Sequence, residues 1–240
     1  MERSPLLRIT NLTKRFGGIV AVDDCTVHIK EKTIVGLIGP NGAGKTTLIN
    51  LINGLYKPDA GEIRFNDERI DGLGAHEIAH KGIGRSFQLN KVFRRMTTTD
   101  NLIVPGLSIY KDRDALRERA MELLKFFLLD KLKDEYAGNL SGGQQKLLDM
   151  ARALISDPAL VLLDEPFHGV HPNLKEKICE NIRLMNEDQG KTFIVVSHDI
   201  PSIMSICERI VVLNAGILIA DGTPDKIRRD EKVMEAYLGV

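Results

Sequence analysis

The sequence predicts an α/β fold: a buried central sheet, an antiparallel β part on its N-terminal side and a helical insertion in its middle. Three observations predict it. Short apolar runs, TIVGLIG, ALVLLDE and TFIVVSH, alternate with helical patterns, as strands covered on both faces do. LLRIT, IVAVDD and CTVHIK instead alternate apolar with polar residues, the pattern of antiparallel strands with one wet face. From about Ala75 to Asp157 helical periodicity dominates.

In chain order, the alternating segments come first, as antiparallel strands. TIVGLIG follows as a doubly covered strand, and PNGAGKTTLINLINGL turns through glycines into a helix with Leu48, Leu51 and Ile52 on one side. GEIRFNDERI reads as a hairpin turning at Asn66-Asp67, two residue types that tolerate a left-handed turn. RDALRERAMELLKFFLL places Leu116, Ala120, Leu123 and Leu124 on one helical face. A second stripe, Leu174, Ile178, Ile182 and Met185, separates ALVLLDE from TFIVVSH, and RIVVLNAGILIADG closes with a hairpin at Ala215-Gly216. No internal repeat or low-complexity segment is evident.

Composition narrows the function classes. With 240 residues, 43% of them hydrophobic, the chain can bury a substantial core as one large domain or two small ones. Its 33 basic residues balance 33 acidic ones, so no basic excess points to nucleic acid. Cys25, Cys179 and Cys207 match no zinc or redox spacing, which fits a reducing cytosol and small buried side chains. MERSPLLRIT lacks the apolar core of a signal peptide, and no uncharged apolar run is long enough to span a bilayer. Work at a membrane would need another chain to hold this one there.

GPNGAGKT, Gly39 to Thr46, matches G-x-x-x-x-G-K-[ST] at every fixed position, between a strand and a helix. Glycines let backbone N–H groups close round phosphate oxygens, and the helix N-terminus adds its positive dipole end. Gly39, Pro40, Asn41, Gly42, Ala43, Gly44, Lys45, Thr46 and Thr47 are the expected phosphate cradle. Within it Lys45 is expected at the outer phosphates and Thr46 on Mg²⁺. ALVLLDE puts Asp164 at the carboxyl end of a buried strand, the edge where open α/β sheets bind ligands. A carboxylate there can hold Mg²⁺ directly or through water. Glu165 follows, and adjacent acids divide labour: one for the metal, one to take a proton from attacking water. Two solvated acids at a strand end are the competing reading, a weak one beside a phosphate loop.

LSGGQQ, residues 140–145, resembles the signature motif of the ABC (ATP-binding cassette) ATPases. The order of motifs agrees along the whole chain: phosphate loop, Gln88, signature, LVLLDE, His198. The resemblance implies a P-loop NTPase core of the ABC ATPase type, with an N-terminal antiparallel β subdomain and an inserted helical subdomain. The implied layout is a single domain over 1–240. Residues 1–87 and 157–240 form the ATP-binding core with the β subdomain, and 88–156 the helical signature subdomain. ATP and Mg²⁺ are the implied cofactors. The residues fit: Ser141 is a good N-cap for a helix with Leu147, Ala151, Leu154 and Ile155 on one face. With Gly142 and Gly143 it reads as a second anion site, one without a lysine. The family resolves two half-sites per chain by head-to-tail dimerisation, in which Leu140, Ser141, Gly142, Gly143 and Gln144 would cover ATP held by the partner.

Other roles follow from the resemblance one residue at a time. Phe16 matches the aromatic that stacks on adenine, although a half-buried strand aromatic fits it as well. Gln88 matches the glutamine that senses magnesium and attacking water, which makes Thr46, Gln88 and Asp164 the implied Mg²⁺ set. His198 matches the histidine at the γ-phosphate. Glu165 matches the general base, so the chain is expected to hydrolyse ATP. The helical insertion is the part that grips a membrane permease in this family, which would hold the chain on the cytoplasmic face of the cell membrane. GIGRSFQLNKVFRRMTTTDNL, SICERIVVLNAGILIADGTP and EPFHGV resemble the ATPase subunit of branched-chain amino acid importers. Close relatives serve amide or urea uptake and lipopolysaccharide export. The implied partners are a second ATPase subunit, identical or related, the permease subunits and, indirectly, a substrate-binding protein, with no nucleic acid. Soluble ABC ATPases of DNA repair or translation compete with this reading. The sequence has neither the long coiled coil of the first nor the second phosphate loop of the other.

FHGVH is the irregular stretch. One H-x-x-H pair, His168 and His171, supplies too few ligands for a metal site by itself. Pro172 suits the first helical position, which makes His171 the N-cap. The family pattern has an acid or amide there, a better cap, but a neutral imidazole nitrogen can accept a backbone N–H. In the family these loops face one another across the dimer, where protonated imidazoles would repel in mild acid.

Overall fold

The structure is a computed structural model that describes residues 5–87 and 91–238. The N-terminal segments form β1 (Leu7–Phe16) and β2 (Ile19–Ile29), paired antiparallel. IVAVDD and CTVHIK are one strand rather than two. Asp24 between them has φ 47°, and the β1 register shifts there, so a bulge absorbs the break in alternation without ending the strand. β3 (Ile34–Ile38) is buried at every position. α1 (Lys45–Ile52) springs from the glycine loop and buries Leu48, Leu51 and Ile52. β4 (Ala60–Phe65) and β5 (Glu68–Arg69) make the expected hairpin, with Asn66 and Asp67 at φ 50° and 61°.

The helical region begins with α2 (Ala75–His80), but β6 (Ile83–Arg85) interrupts it. Periodicity misses this strand because three residues are too few to show alternation. After it come α3 (Thr98–Gly106), α4 (Arg113–Phe126), with Leu116, Ala120, Leu123 and Leu124 buried, and α5 (Gly142–Leu154). The chain then alternates through β7 (Leu160–Asp164), α6 (Pro172–Glu187), β8 (Thr192–Val196) and α7 (Ile200–Ile206). β9 (Arg209–Asn214) and β10 (Ile217–Gly222) form the second hairpin, turning at Ala215 and Gly216 with φ 46° and 83°. α8 (Pro224–Arg228) and α9 (Glu231–Leu238) follow.

Two sheets result, one ordered β2-β1-β4-β5 and antiparallel, the other β10-β9-β3-β8-β7-β6. In the second, β9, β3, β8, β7 and β6 are parallel and only β10 runs against its neighbour. The apolar runs are uninterrupted because successive side chains enter two different cores. Val35, Leu37, Leu160 and Leu162 pack with Leu7, Ile9 and Ile52 between the sheets. Ile34, Ile38, Val161 and Leu163 pack on the opposite face with Leu116, Leu148 and Ile182. The second core joins α4, α5 and α6 to the sheet, so movement of those helices is resisted by the strands beneath them. All three cysteines are buried and free. Among the described residues no helix is long and apolar enough to cross a membrane.

Two contacts yield tests of this packing. A Cβ on Gly84 of β6 would lie 2.1 Å from the Ala153 carbonyl oxygen and 2.8 Å from Pro158 Cγ. Gly84→Ala should therefore separate β6 from α5 and cost about 1–3 kcal/mol, read as a lower urea midpoint with an unchanged slope. Asp59, before β4, accepts from the Arg15 backbone N–H at 2.6 Å and from Lys14 Nζ at 3.1 Å. These hold its carboxyl below the usual carboxylate range. A depressed folded pKa stabilises above the unfolded value, about 3.9, and that stability is lost as pH falls through the folded pKa. The melting temperature of Asp59→Asn should fall short of wild type at pH 7, and the gap should close in strong acid; a gap constant with pH would contradict this.

Candidate functional site

The glycine loop leaves the carboxyl end of β3 and bends back under the β1–β2 hairpin. Gly44, the residue before α1, has φ 99°, and a Cβ there would sit 2.3 Å from the Ala21 carbonyl oxygen. Only glycine meets both conditions. The loop forms the floor of a cleft of about 500 Å³, which Val20 and Ala21 of β2, Asn41 to Thr47, and Glu165 all line. Lys45 is buried; its Nζ donates to the Gly39 and Pro40 carbonyls at 2.7 and 2.9 Å. Burial pushes its pKa down, while Glu165 and Asp164 push it back up. The loop thus closes around a lysine tied to its own carbonyls.

Parallel pairing brings two more strand ends to the same edge. Val196 of β8 is opposite Leu37 of β3 on one side and Asp164 of β7 on the other. Glu165 leaves β7 at φ 52°, its N–H donating to the Val196 carbonyl at 2.8 Å. A non-glycine residue held there is backbone strain at a site. Its Oε2 accepts from Ser197 Oγ at 3.2 Å and lies 2.8 Å from His198 Nδ1. His198 is exposed, and the His168 ring meets it edge-on with centroids 5.5 Å apart. His171 caps α6, its Nδ1 accepting the Asn173 N–H at 3.4 Å. The irregular FHGVH stretch therefore supplies a ring beside His198 and a helix cap.

Asp164 is 2% exposed. Its Oδ2 accepts from Arg85 Nη2 at 3.3 Å, while its buried Oδ1 has no partner. Burial raises the Asp164 pKa, and the Arg85 guanidinium opposes that rise. Among the described residues no group of three or more His, Cys, Asp or Glu is gathered for a metal. A cation here would need Asp164, Thr46 and oxygens of the phosphates, the mixed shell that Mg²⁺ favours.

The remaining expected residues fall elsewhere. Gln88 lies outside the described residues. Phe16, at the β1–β2 hairpin tip opposite Ile19, is 42% exposed. It packs edge-on against Tyr56 at 5.2 Å and does not line the cleft. Leu140 to Gln144 do not line it either. Ser141 caps α5 in a capping box: its Oγ accepts from Gln144 N at 3.3 Å and its N–H donates to Gln144 Oε1 at 2.9 Å. One chain therefore keeps its phosphate loop and its signature apart.

Three structural features near the site escaped the sequence reading. Lys146, Asp149 and Arg152, one helical turn apart on α5, hold Phe87 and Lys91. Phe87 donates its N–H to Asp149 at 2.9 Å and accepts from Lys146 Nζ at 3.3 Å, and Arg152 donates to the Lys91 carbonyl at 2.5 Å. Their spacing of three was the available signal. Arg85, gripping Asp164, had no signal beyond its charge. Tyr237 of α9, 40% exposed, faces the Gly39 amide. It lines an apolar groove between α7 and α9 with Ile200, Met204 and Val233.

Known proteins share this arrangement. The ABC transporter family model matches residues 22–168, and the model of the branched-chain amino acid ATP-binding cassette transporter matches 218–240. BraF of Pseudomonas aeruginosa, a high-affinity branched-chain amino acid transport ATP-binding protein, is 38% identical, with 98% of each chain covered. LptB of Escherichia coli, a lipopolysaccharide export system ATP-binding protein, is 39% identical, with 97% of each covered. Among solved structures, the ADP conformation of MJ1267, an ATP-binding cassette of an ABC transporter, superposes with a TM-score of 0.90 at 32% identity. That superposition covers 99% of this chain and all (100%) of the other. The dimeric bacterial ABC transporter cassette MJ0796 gives 0.84 at 31% identity, covering 91% and 98%. Agreement of this extent places the chain in the ABC transporter family as its ATP-binding cassette, an ATPase.

Proposed function

We propose that this cassette hydrolyses MgATP at a site shared between two subunits and thereby drives uptake of branched-chain amino acids through a membrane permease. Lys45, with Gly39, Pro40, Asn41, Gly42, Ala43, Gly44, Thr46 and Thr47, holds the phosphates. Thr46, Gln88 and Asp164 hold Mg²⁺, to which the unpartnered Asp164 Oδ1 is suited; bound there, the cation neutralises charge on the β- and γ-phosphates. Glu165 accepts the proton of the attacking water. The observation that supports this role is its pairing with His198 at 2.8 Å on the edge beside the loop. His198 then has two partners available, Glu165 before nucleotide binds and the γ-phosphate after, so it links the base to ATP occupancy. Phe16 stacks on adenine from the hairpin tip.

Leu140, Ser141, Gly142, Gly143 and Gln144 complete the site of the partner subunit, identical or related. Their separation from the cleft of their own chain supports this. MJ0796 was solved as a dimer, and the same head-to-tail pairing is proposed here. The helices of 88–156 grip the permease, and 1–87 with 157–240 form the ATP-binding core. A substrate-binding protein delivers cargo on the far side. Cargo rests on the match of the C-terminal residues 218–240 to the branched-chain amino acid cassette model, with BraF as a full-length relative. The similarity to LptB favours a second reading, lipopolysaccharide export.

Two measurements test the proposal. Glu165→Gln should lower kcat for ATP at least about a hundredfold, the usual contribution of a general base, and should leave MgATP binding intact; loss of binding would contradict the role. In cells lacking this cassette, uptake of labelled leucine, isoleucine and valine should fall and return with wild type but not with Glu165→Gln. Normal uptake combined with defective lipopolysaccharide assembly would favour the export reading.

A further inference from the structure

Arg85 carries a charge that the ATPase scheme does not use. It ends β6, and its side chain is 6% exposed. Burying a guanidinium is costly unless its partners are well placed. Its Nη1 donates to Asn50 Oδ1 of α1 at 2.6 Å, and its Nη2 to Asp164 Oδ2 of β7 at 3.3 Å. The Phe87 ring stacks 5.0 Å from its Cζ. Its Nε is buried without a partner, so hydrogen bonding is incomplete even in this geometry. The arrangement is a poor choice for stability alone, since an apolar side chain would fill the space without the desolvation cost.

What Arg85 does achieve is asymmetry. It occupies one oxygen of Asp164 and leaves the other, Oδ1, buried and unpartnered. A free aspartate can rotate and exchange its oxygens; this one is held by a rigid fork whose other prong is fixed on the helix of the phosphate loop. We propose that Arg85 is a positioning residue for the cation site: through Asn50 and Asp164 it locks Asp164 Oδ1 in the orientation that receives Mg²⁺. The inference rests on the proposed role of Asp164 and adds a residue on which the metal dependence of nucleotide binding should depend. A Coulomb effect opposes it, because the guanidinium repels a cation nearby. The two effects predict opposite signs, which makes the inference testable.

The probe is a fluorescent ADP analogue, titrated into the protein with excess Mg²⁺ and again in EDTA. In wild type Mg²⁺ strengthens binding. In Arg85→Met that strengthening should shrink at least about tenfold, the scale on which partners of metal ligands act. Affinity in EDTA should stay within about twofold. Asn50→Ala, at a half-buried position, removes one prong without emptying the core and should lose part of the strengthening. Asp164→Asn separates the inference from the reading beneath it. If it keeps the full Mg²⁺ effect, the metal assignment fails and the inference with it. If it loses the effect while Arg85→Met and Asn50→Ala keep theirs, only the inference fails. Equal weakening with and without Mg²⁺ in both variants would make Arg85 a structural tie, and tighter Mg²⁺ binding would mean that repulsion dominates; either overturns the proposal.

Discussion

The parallel register of β3, β8 and β7 is the constraint on which the rest depends. Hydrogen bonding fixes Val196 opposite both Leu37 and Asp164. Three strands therefore end together, and each is followed by a group of the candidate site: Glu165 one residue past β7, His198 two past β8 and Lys45 seven past β3. No loop has to find another across open space. A slip of one residue would turn the alternate side chains of β7 into the wrong core and move Asp164 away from the edge. The two apolar clusters on either side of the sheet oppose that slip. The hydrophobic pattern thus secures the register, and the register assembles the site.

Charge is handled at this edge by pairing rather than by solvent. Lys45 is tied to two carbonyls of its own loop, Asp164 to Arg85, and Glu165 to Ser197 and His198. Each pairing holds a group in place before nucleotide arrives. In the proposed scheme those of Lys45 and His198 give way when phosphate enters. Preorganised groups that exchange a protein partner for a ligand lose little in reorganisation. Behind them, Lys146, Asp149 and Arg152 fasten Phe87 and Lys91 to the helix that begins at the signature. Displacement of that helix therefore acts on Phe87 and Lys91.

Much of this was legible in the sequence, for physical reasons. GPNGAGKT and LVLLDE could be placed because glycine spacing between a strand and a helix marks a turn, and an apolar run ending in acids marks the end of a buried strand. The hairpins at Asn66-Asp67 and Ala215-Gly216 were visible because their residues accept positive φ. β6 was not, since a strand of three residues has no period to detect. Arg85 and Tyr237 were not because their meaning lies in tertiary partners, Asp164 at a separation of 79 residues and Gly39 at nearly two hundred. His171 was foreseen as a cap from Pro172 alone, whereas the ring contact of His168 with His198 depends on how two strand ends are brought together.

The central claim is that one magnesium nucleotide engages all three strand ends. A crystal structure of the protein with Mg²⁺ and a non-hydrolysable ATP analogue tests it most directly. The account predicts Lys45 on the outer phosphates and His198 turned from Glu165 toward the terminal phosphate. It also predicts Mg²⁺ on the Oδ1 side of Asp164, with Oδ2 still held by Arg85. A nucleotide bound away from the glycine loop, or a cation held by acids other than Asp164, would contradict it.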